Sequence, residues 1–438
     1  MRTSARERVR AAGMAMLVST LLVLFFSPAW VAFRAWSRVP EVFWQVVPVR
    51  RGIQVMNQVG DPFAEITDPL HKILQWRLLM PLAGHYLGLA PGVVLGLAPL
   101  GCIVVLAVLF AQGRARGGSV AECSFLAIVA GAGAWFFTST GWLAYYDAWL
   151  VLGLWTVAWA RDRRIVWLAC ALTPWVDERF VVGLPLALLV RWLASQEASS
   201  PALSLRELPR WLVREAGVGL LVVGTWVVLR IWLAGRTDSQ TLGDYSREVE
   251  FAQIPTWRLA FGSWEGLRVG WIPVLLAVPS LMRRKQSEAG VLLALGIGAT
   301  TLVGLATSND LSRSAAVALP VLPLGWGYLR ATERWKRWHA APLLAAAALL
   351  LPANHVISTF TVPIHGLWRE VRALQAPPPP YAPDLYLEEA RRLSSAGDRT
   401  RAREQATVAL RLAGRDSAVG ERAREFLREA RDRPDGSQ

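Results

Sequence analysis

Cysteine is scarce in this chain of 438 residues: there are three, Cys102, Cys123 and Cys170, and all lie inside apolar runs. They have neither paired metal spacing nor the pattern of a disulfide framework, so they read as buried apolar fillers. Histidine is equally sparse; His71, His85, His339, His355 and His365 are scattered, with no HExxH pair, and no structural metal is expected. A Walker loop, a strand-linked GxGxxG unit and a GxSxG elbow are also missing, which argues against nucleotide hydrolysis. Mid-run positions are almost wholly apolar and no internal repeat stands out, so the carboxylate relay of an ion-coupled transporter is lacking too.

Apolar residues are what the chain has in excess. With 53% hydrophobic residues, 18% charged and 22 tryptophans, the composition implies a bilayer as solvent. A formal charge of +14 could suggest nucleic acid. Most of the arginines, however, sit in short spacers between apolar runs, and no basic face is interleaved with exposed aromatics. The charge reads as topology, and no nucleic-acid partner is expected.

Eleven apolar runs can be marked: Met14 to about Ala32, then 92–112, 120–141, 143–160, 165–176, 179–194, 216–234, 268–282, 291–308, 314–330 and 340–358. The first is long enough to cross ~30 Å of hydrocarbon at 1.5 Å per residue. It follows Arg2, Arg6, Arg8 and Arg10 and lacks a small-x-small cleavage site, so it reads as an uncleaved anchor with a cytoplasmic amino terminus. If each run crosses once, the basic groups at 114–116, 161–164, 191–214, 283–285 and 330–337 share the side of the amino terminus. Segment 69–90 breaks this parity if it crosses, so it is expected to lie on or dip into the outer face. The expected fold is an all-α polytopic transmembrane bundle of about 11 spans over residues 1–360. A long outer loop at 35–91, a polar outer loop at 235–267, a proline-rich linker at 361–383 and a small helical tail at 384–438 complete it. That tail falls on the extracytoplasmic side.

Few residues on the outer side could carry chemistry. Asp61, Glu65 and Asp68 are spaced i, i+4 and i+7, close enough to share a site as a general base or as oxygen ligands for a divalent cation, the one cofactor they would suit. Asp61-Pro62 and Asp68-Pro69 also have the form of an N-cap followed by proline at the first helical position, an alternative that leaves Glu65 unexplained. Glu41 follows the first span and opens an amphipathic stretch ending near Val59. Arg50, Arg51 and Arg77 could hold phosphate oxygens or anchor to lipid headgroups. Asp147, the Asp177-Glu178-Arg179 turn, and Asp310 with Arg313 border apolar runs on short turns. Ionisable groups so placed face protein or a cavity rather than lipid, and together they would form a polar outer-face pocket.

This layout resembles the GT-C class of polytopic membrane glycosyltransferases over about residues 10–360. The elements that carry the resemblance are the acidic start of the first-loop helix at Glu41, the Gly-x-Pro-aromatic break from Gly60 to Phe63 and the Pro-Leu-led helix ending in HYLGL, Pro69 to Leu89. They continue with Asp147 at the head of a later span and the stretch ALTPWVDERFVVGLPLALLV. The resemblance implies transfer of a sugar from a polyprenyl-phosphate carrier to a lipid, glycan or protein acceptor at the outer face of a bacterial inner membrane. A first-loop acid, Glu41, would serve as base. Family members carry an acidic doublet there, whereas Glu41 is followed by Val42, which makes Asp61, Glu65 and Asp68 the substitutes. The alternative expectation is a non-catalytic scaffold. Its partner surface would be the tail, where GDRTRAREQATVAL, Gly397 to Leu410, resembles the core of one tetratricopeptide unit, with helices at about 384–396 and 415–431.

Overall fold

The computed structural model describes residues 5–28, 47–63, 66, 69–196, 205–236, 251–283, 286–331, 340–375, 383–395, 399–413 and 417–432. They are all-α apart from one two-stranded hairpin, and they fall into two compact units, one of residues 1–28 with 54–367 and one of residues 29–53 with 368–438.

The larger unit opens with α1 (Ala5–Phe25), takes in α2 (Val47–Gly60) from Gln54 onward, and adds a 3-10 turn at Pro69–Trp76 and α3 (Leu79–Tyr86). Neither of the last two, eight residues each, is long enough to cross a bilayer. There follow α4 (Pro91–Ala115), α5 (Val120–Gly131), α6 (Ala134–Gly141), α7 (Asp147–Trp159), α8 (Arg163–Leu172), α9 (Arg179–Gln196) and α10 (Leu208–Ala234). After these come α11 (Thr256–Leu267), α12 (Trp271–Arg283), α13 (Ser287–Ala306), the short α14 (Leu311–Ala315), α15 (Leu322–Ala331) and α16 (Ala340–Leu350). A hairpin closes the unit, β1 (Ala353–Val356) pairing antiparallel with β2 (Thr361–Ile364).

The expectation of 11 crossings is corrected. Among the described residues, five helical stretches are long and apolar enough to cross a membrane: α1, α4, α10, α13 and the Thr256–Arg283 run, in which α11 and α12 join through Arg268. A sixth results if α5 and α6, bent by 72°, count as one broken span. The other apolar runs fold into shorter pieces, such as the 13 residues of α7 and the 10 of α8. The run marked at 340–358 leaves the helix at Leu350 and enters the hairpin, and the polar loop marked at 235–267 contains α11. Leu221, Val228, Leu295 and Leu302 remain more than half exposed on the long helices, an apolar face that suits lipid and not water.

The join between α11 and α12 is Arg268, which is fully buried and held at a φ of 50°. Its guanidinium donates to the Ala132 carbonyl at the end of α5 and to the Ala348 carbonyl of α16, both at 2.9 Å, and to the Leu351 and Pro352 carbonyls just beyond. Helix-end carbonyls that would otherwise be orphaned in an apolar interior are thereby satisfied. Glu265 lies 3.7 Å from the Arg268 Nε and accepts from the Asn354 backbone at 3.0 Å, tying the hairpin to the same point. At Gly133, a Cβ would come within 2.8 Å of the Gly266 carbonyl, so the bend between α5 and α6 is packed backbone against backbone.

The smaller unit contains α17 (Leu367–Gln375), which begins at the last residue of the larger one, then α18 (Pro383–Ser395), α19 (Arg399–Ala413) and α20 (Ala418–Asp432). Small residues line its interior; Ala390, Ala402, Ala406, Ala409 and Ala423 are buried and let α18, α19 and α20 approach closely.

Candidate functional site

A buried ionic cluster forms where four stretches meet: the start of α7, the turn before α9, the end of the 3-10 turn in the first loop, and the turn before α14. Asp147 heads α7 three residues after Ala144, whose φ of 60° turns the chain. One of its carboxylate oxygens pairs with Arg179 Nη2; the other accepts from Arg313 Nε at 2.8 Å and from Thr138 Oγ1 at 3.2 Å. Asp177 accepts from the Arg179 backbone at 3.0 Å and from its Nε and Nη2 at 2.9 and 2.7 Å, so one residue both caps α9 and orients its first side chain. Arg77 grips both acids of the turn, reaching Asp177 at 2.9 Å through Nη1 and Glu178 at 2.8 and 2.7 Å through Nε and Nη2.

On the far side, Asp310 caps α14 and accepts from Arg313 Nη1 at 2.8 Å. His355, fully buried on β1, places Nε2 3.3 Å from Asp310 Oδ2, outside hydrogen-bond alignment, and Nδ1 3.2 Å from Ser312 Oγ. The hairpin can present His355 there because Ser358 is bonded to Asn309 through the backbone at 2.7 Å and through side chains at 2.9 Å. Aromatic faces close the cluster: Trp142 lies against the His355 ring, and Tyr145 lies 4.4 Å under the Arg313 guanidinium.

Electrostatics fix the state of the acids. Burial pushes the Asp177 carboxyl up, but the Arg179 and Arg77 guanidiniums outweigh it and hold the group well below the usual carboxylate range. Asp310 follows the same pattern, with His355 and Arg313 overcoming its desolvation. Both are permanent anions near neutral pH and are therefore poor general bases. Arg179 Nη1 and Arg313 Nη2 are buried without a hydrogen-bond partner among the described residues, Arg313 Nη2 standing 3.8 Å from Asp177.

Asp147, Asp177, Glu178, Arg179, Asp310 and Arg313 thus come together, and Arg77 joins them. Arg77 is engaged along its whole guanidinium edge, which removes it as a phosphate ligand. Asp61 stays apart; it is exposed and accepts from the Phe63 backbone at 3.1 Å, a local turn contact. Arg51 is buried on α2 in the stretch belonging to the smaller unit. Glu41, Glu65, Asp68 and the side chain of Arg50 lie outside the described residues. His355 is the residue that sequence reasoning missed, since no local motif marks it. Among the described residues no group of three or more His, Cys, Asp or Glu could hold a metal ion, and each carboxylate of the cluster already faces a guanidinium.

Fold and cluster define a helical protein with five or six apolar helices of membrane length and an ion-paired polar core at one end of α7. No known protein family, curated protein or solved structure matches this chain.

Proposed function

We propose that this chain is a membrane glycosyltransferase taking its sugar from a polyprenyl-phosphate carrier, with the first loop forming the catalytic lid. The observation that carries the reading is the Arg77 anchor, which ties the first loop to Asp177 and Glu178 at the head of α9. From within one turn of Arg179, an apolar groove of about 820 Å³ runs between α9, α10 and α13, lined by Val181, Leu184, Leu188, Val227 and Val303. Its size and lining suit a prenyl chain lying beside the lid.

The cluster serves as an electrostatic platform. Three guanidiniums face four carboxylates, so the Arg, Asp and Glu side chains of the cluster offer no excess of positive charge to an entering phosphate. The departing phosphate is therefore assigned to Arg50 and Arg51 and the base to a first-loop acid, Glu41, Asp61, Glu65 or Asp68. Glu41→Gln, or Asp61→Asn combined with Glu65→Gln, is expected to abolish turnover without reducing membrane insertion. Lipid profiling of a strain lacking the protein should then reveal an accumulated polyprenyl-linked sugar.

A second reading, a non-catalytic scaffold, draws on the complete pairing of the cluster acids. Function intact in all the acid variants but lost on deleting residues 380–438 would select the scaffold over the enzyme.

A further inference from the structure

The outward side of α10 carries its own depth scale. Positions that the fold leaves exposed recur at Arg214, Val218, Leu221, Thr225, Val228 and Trp232, in steps of three and four that make one stripe. Arg214 stands at one end; beyond the other, Arg236 is exposed and lies 4.6 Å over the Trp232 ring. Between the two arginines the stripe is uncharged. Arg230 is buried off the stripe, and the Thr225 hydroxyl donates to the Leu221 carbonyl at 2.9 Å. Arg214 and Arg236 are 22 positions apart, about 33 Å of helix, and a tilt of about 20° brings that close to the ~30 Å of a hydrocarbon layer.

The stripe matches a bilayer at each depth. An indole under a guanidinium suits the headgroup boundary, and an exposed charge is excluded from acyl chains even when a neighbour pairs it, as Glu215 does Arg214 at 3.3 Å. Packing against a partner helix would impose no such length.

Contacts across the bundle carry this scale to the ionic cluster. Near Arg214, Glu215 accepts from Arg163 Nε at 2.8 Å, at the foot of α8. From there α8 and the 3-10 turn Thr173–Trp175 climb alongside α10 until the Trp175 and Trp226 rings meet, 6.0 Å between centroids. Trp226 is about 17 Å of helix from Glu215 and about 15 Å from Arg236. Asp177, two residues past Trp175, is therefore well short of the Arg236 boundary. A second helix agrees: Trp257, exposed at the start of α11, precedes Gly262 and Gly266, which pack on Leu311 and Ala315 on either side of Arg313. The rise from Trp257 to these glycines is about 8 and 14 Å.

We propose that the α10 stripe is a contact surface for the bilayer, with Arg214 at one headgroup boundary and Trp232 and Arg236 at the other, and that the ionic cluster lies about 10 Å beneath the second boundary, inside the hydrocarbon layer. At that depth an ionisable group is retained only by its partners, which accounts for acids and guanidiniums gathered in one place. The inference holds for either orientation of the chain and is independent of the glycosyl-transfer reading.

The test uses the full-length protein in dioleoyl phosphatidylcholine vesicles, with nitroxides on single added cysteines and their collisions with oxygen and with a water-soluble nickel chelate read by power saturation. The native cysteines are buried, and Val213→Cys, Leu221→Cys, Thr225→Cys, Val228→Cys and Gly235→Cys all fall at exposed positions that leave both arginines in place. Leu172→Cys, exposed three residues before Trp175, reports the level just under the cluster. The ratio of oxygen to nickel collisions is expected to peak at Thr225, midway between the arginines, and to fall severalfold toward Val213 and Gly235. Leu172 should match Thr225. Should Leu172→Cys not fold, Leu168→Cys, one turn lower and also exposed, takes its place. A ratio at either α8 position as low as that at Gly235 would put the cluster in the headgroup layer and overturn the proposal. Exclusion of both reagents along the stripe would show it covered by protein, a second copy or a partner helix, and would overturn it equally.

Discussion

Arg77 illustrates how a side chain changes meaning once its neighbours are known. Its position in a basic first loop suits a phosphate ligand; its actual partners, two acids 100 and 101 positions away, make it a latch. The cost of such a buried array is high, because each charge leaves water, and removing one partner strands the rest at about 3–5 kcal/mol. The acids also set an acid limit on stability. Asp177 and Asp310 are depressed below their ordinary value of 3.8 when folded. Their stabilisation is therefore complete above that value and is lost as pH falls through the lower folded values, where the unfolded chain binds more protons. The melting temperature in detergent should be level in this respect from pH 7 to about pH 5 and fall below about pH 4. Asp310→Asn should flatten part of that fall, and an unchanged acid limb in this variant would sink the assignment.

Among the elements, the junction of α11 and α14 has little tolerance. A Cβ on Gly266 would meet the Ala315 Cβ at 2.6 Å and the Ser312 carbonyl at 2.8 Å, and one on Gly262 would meet the Leu311 Cβ at 2.5 Å. This close approach brings Ser312 and Arg313 up to the hairpin, where Ser312 Oγ accepts from the Val356 backbone at 3.2 Å. Gly266→Val should destabilise the protein by about 1–3 kcal/mol, because the opposing atom is backbone and cannot rotate away. Thermal unfolding checks it, and a wild-type melting temperature would contradict the packing. Hydropathy could not reveal this junction. It registers how apolar a window is, and a broken helix buried in a bundle is as apolar as one facing lipid.

Across the whole molecule, the arginine-rich turns at 114–118, 161–164 and 330 define one face under the proposed topology with a cytoplasmic amino terminus. The three native cysteines are buried, so a single added thiol reports its own surroundings. Cysteines placed at Gly117, Asp162 and Ala331 are expected to resist a membrane-impermeant maleimide in intact spheroplasts and to react after lysis. Labelling before lysis would reverse the orientation and remove the outer-face reading of the ionic cluster. The test also bears on the short helices: α7, at 13 residues, rises about 20 Å against ~30 Å of hydrocarbon. It therefore needs its flanking turns, Asp147 included, to lie within the bundle.

The sequence by itself determined the helical class, the excess of apolar runs and which charges border them. Charges such as Asp147, Asp177, Asp310 and Arg313, set at the borders of apolar runs, are too costly to leave facing lipid, which anticipates that they are partnered but not by which residues. Only the tertiary structure decided how many apolar runs reach membrane length; the 72° bend between α5 and α6, for one, is packed at Gly133 against the Gly266 carbonyl of a distant helix. It alone brought His355 and Arg77 into the cluster. Pairings across 45 residues, as for Asp310 and His355, or across 101, as for Arg77 and Glu178, follow from how helices pack, and no local pattern of residues encodes them.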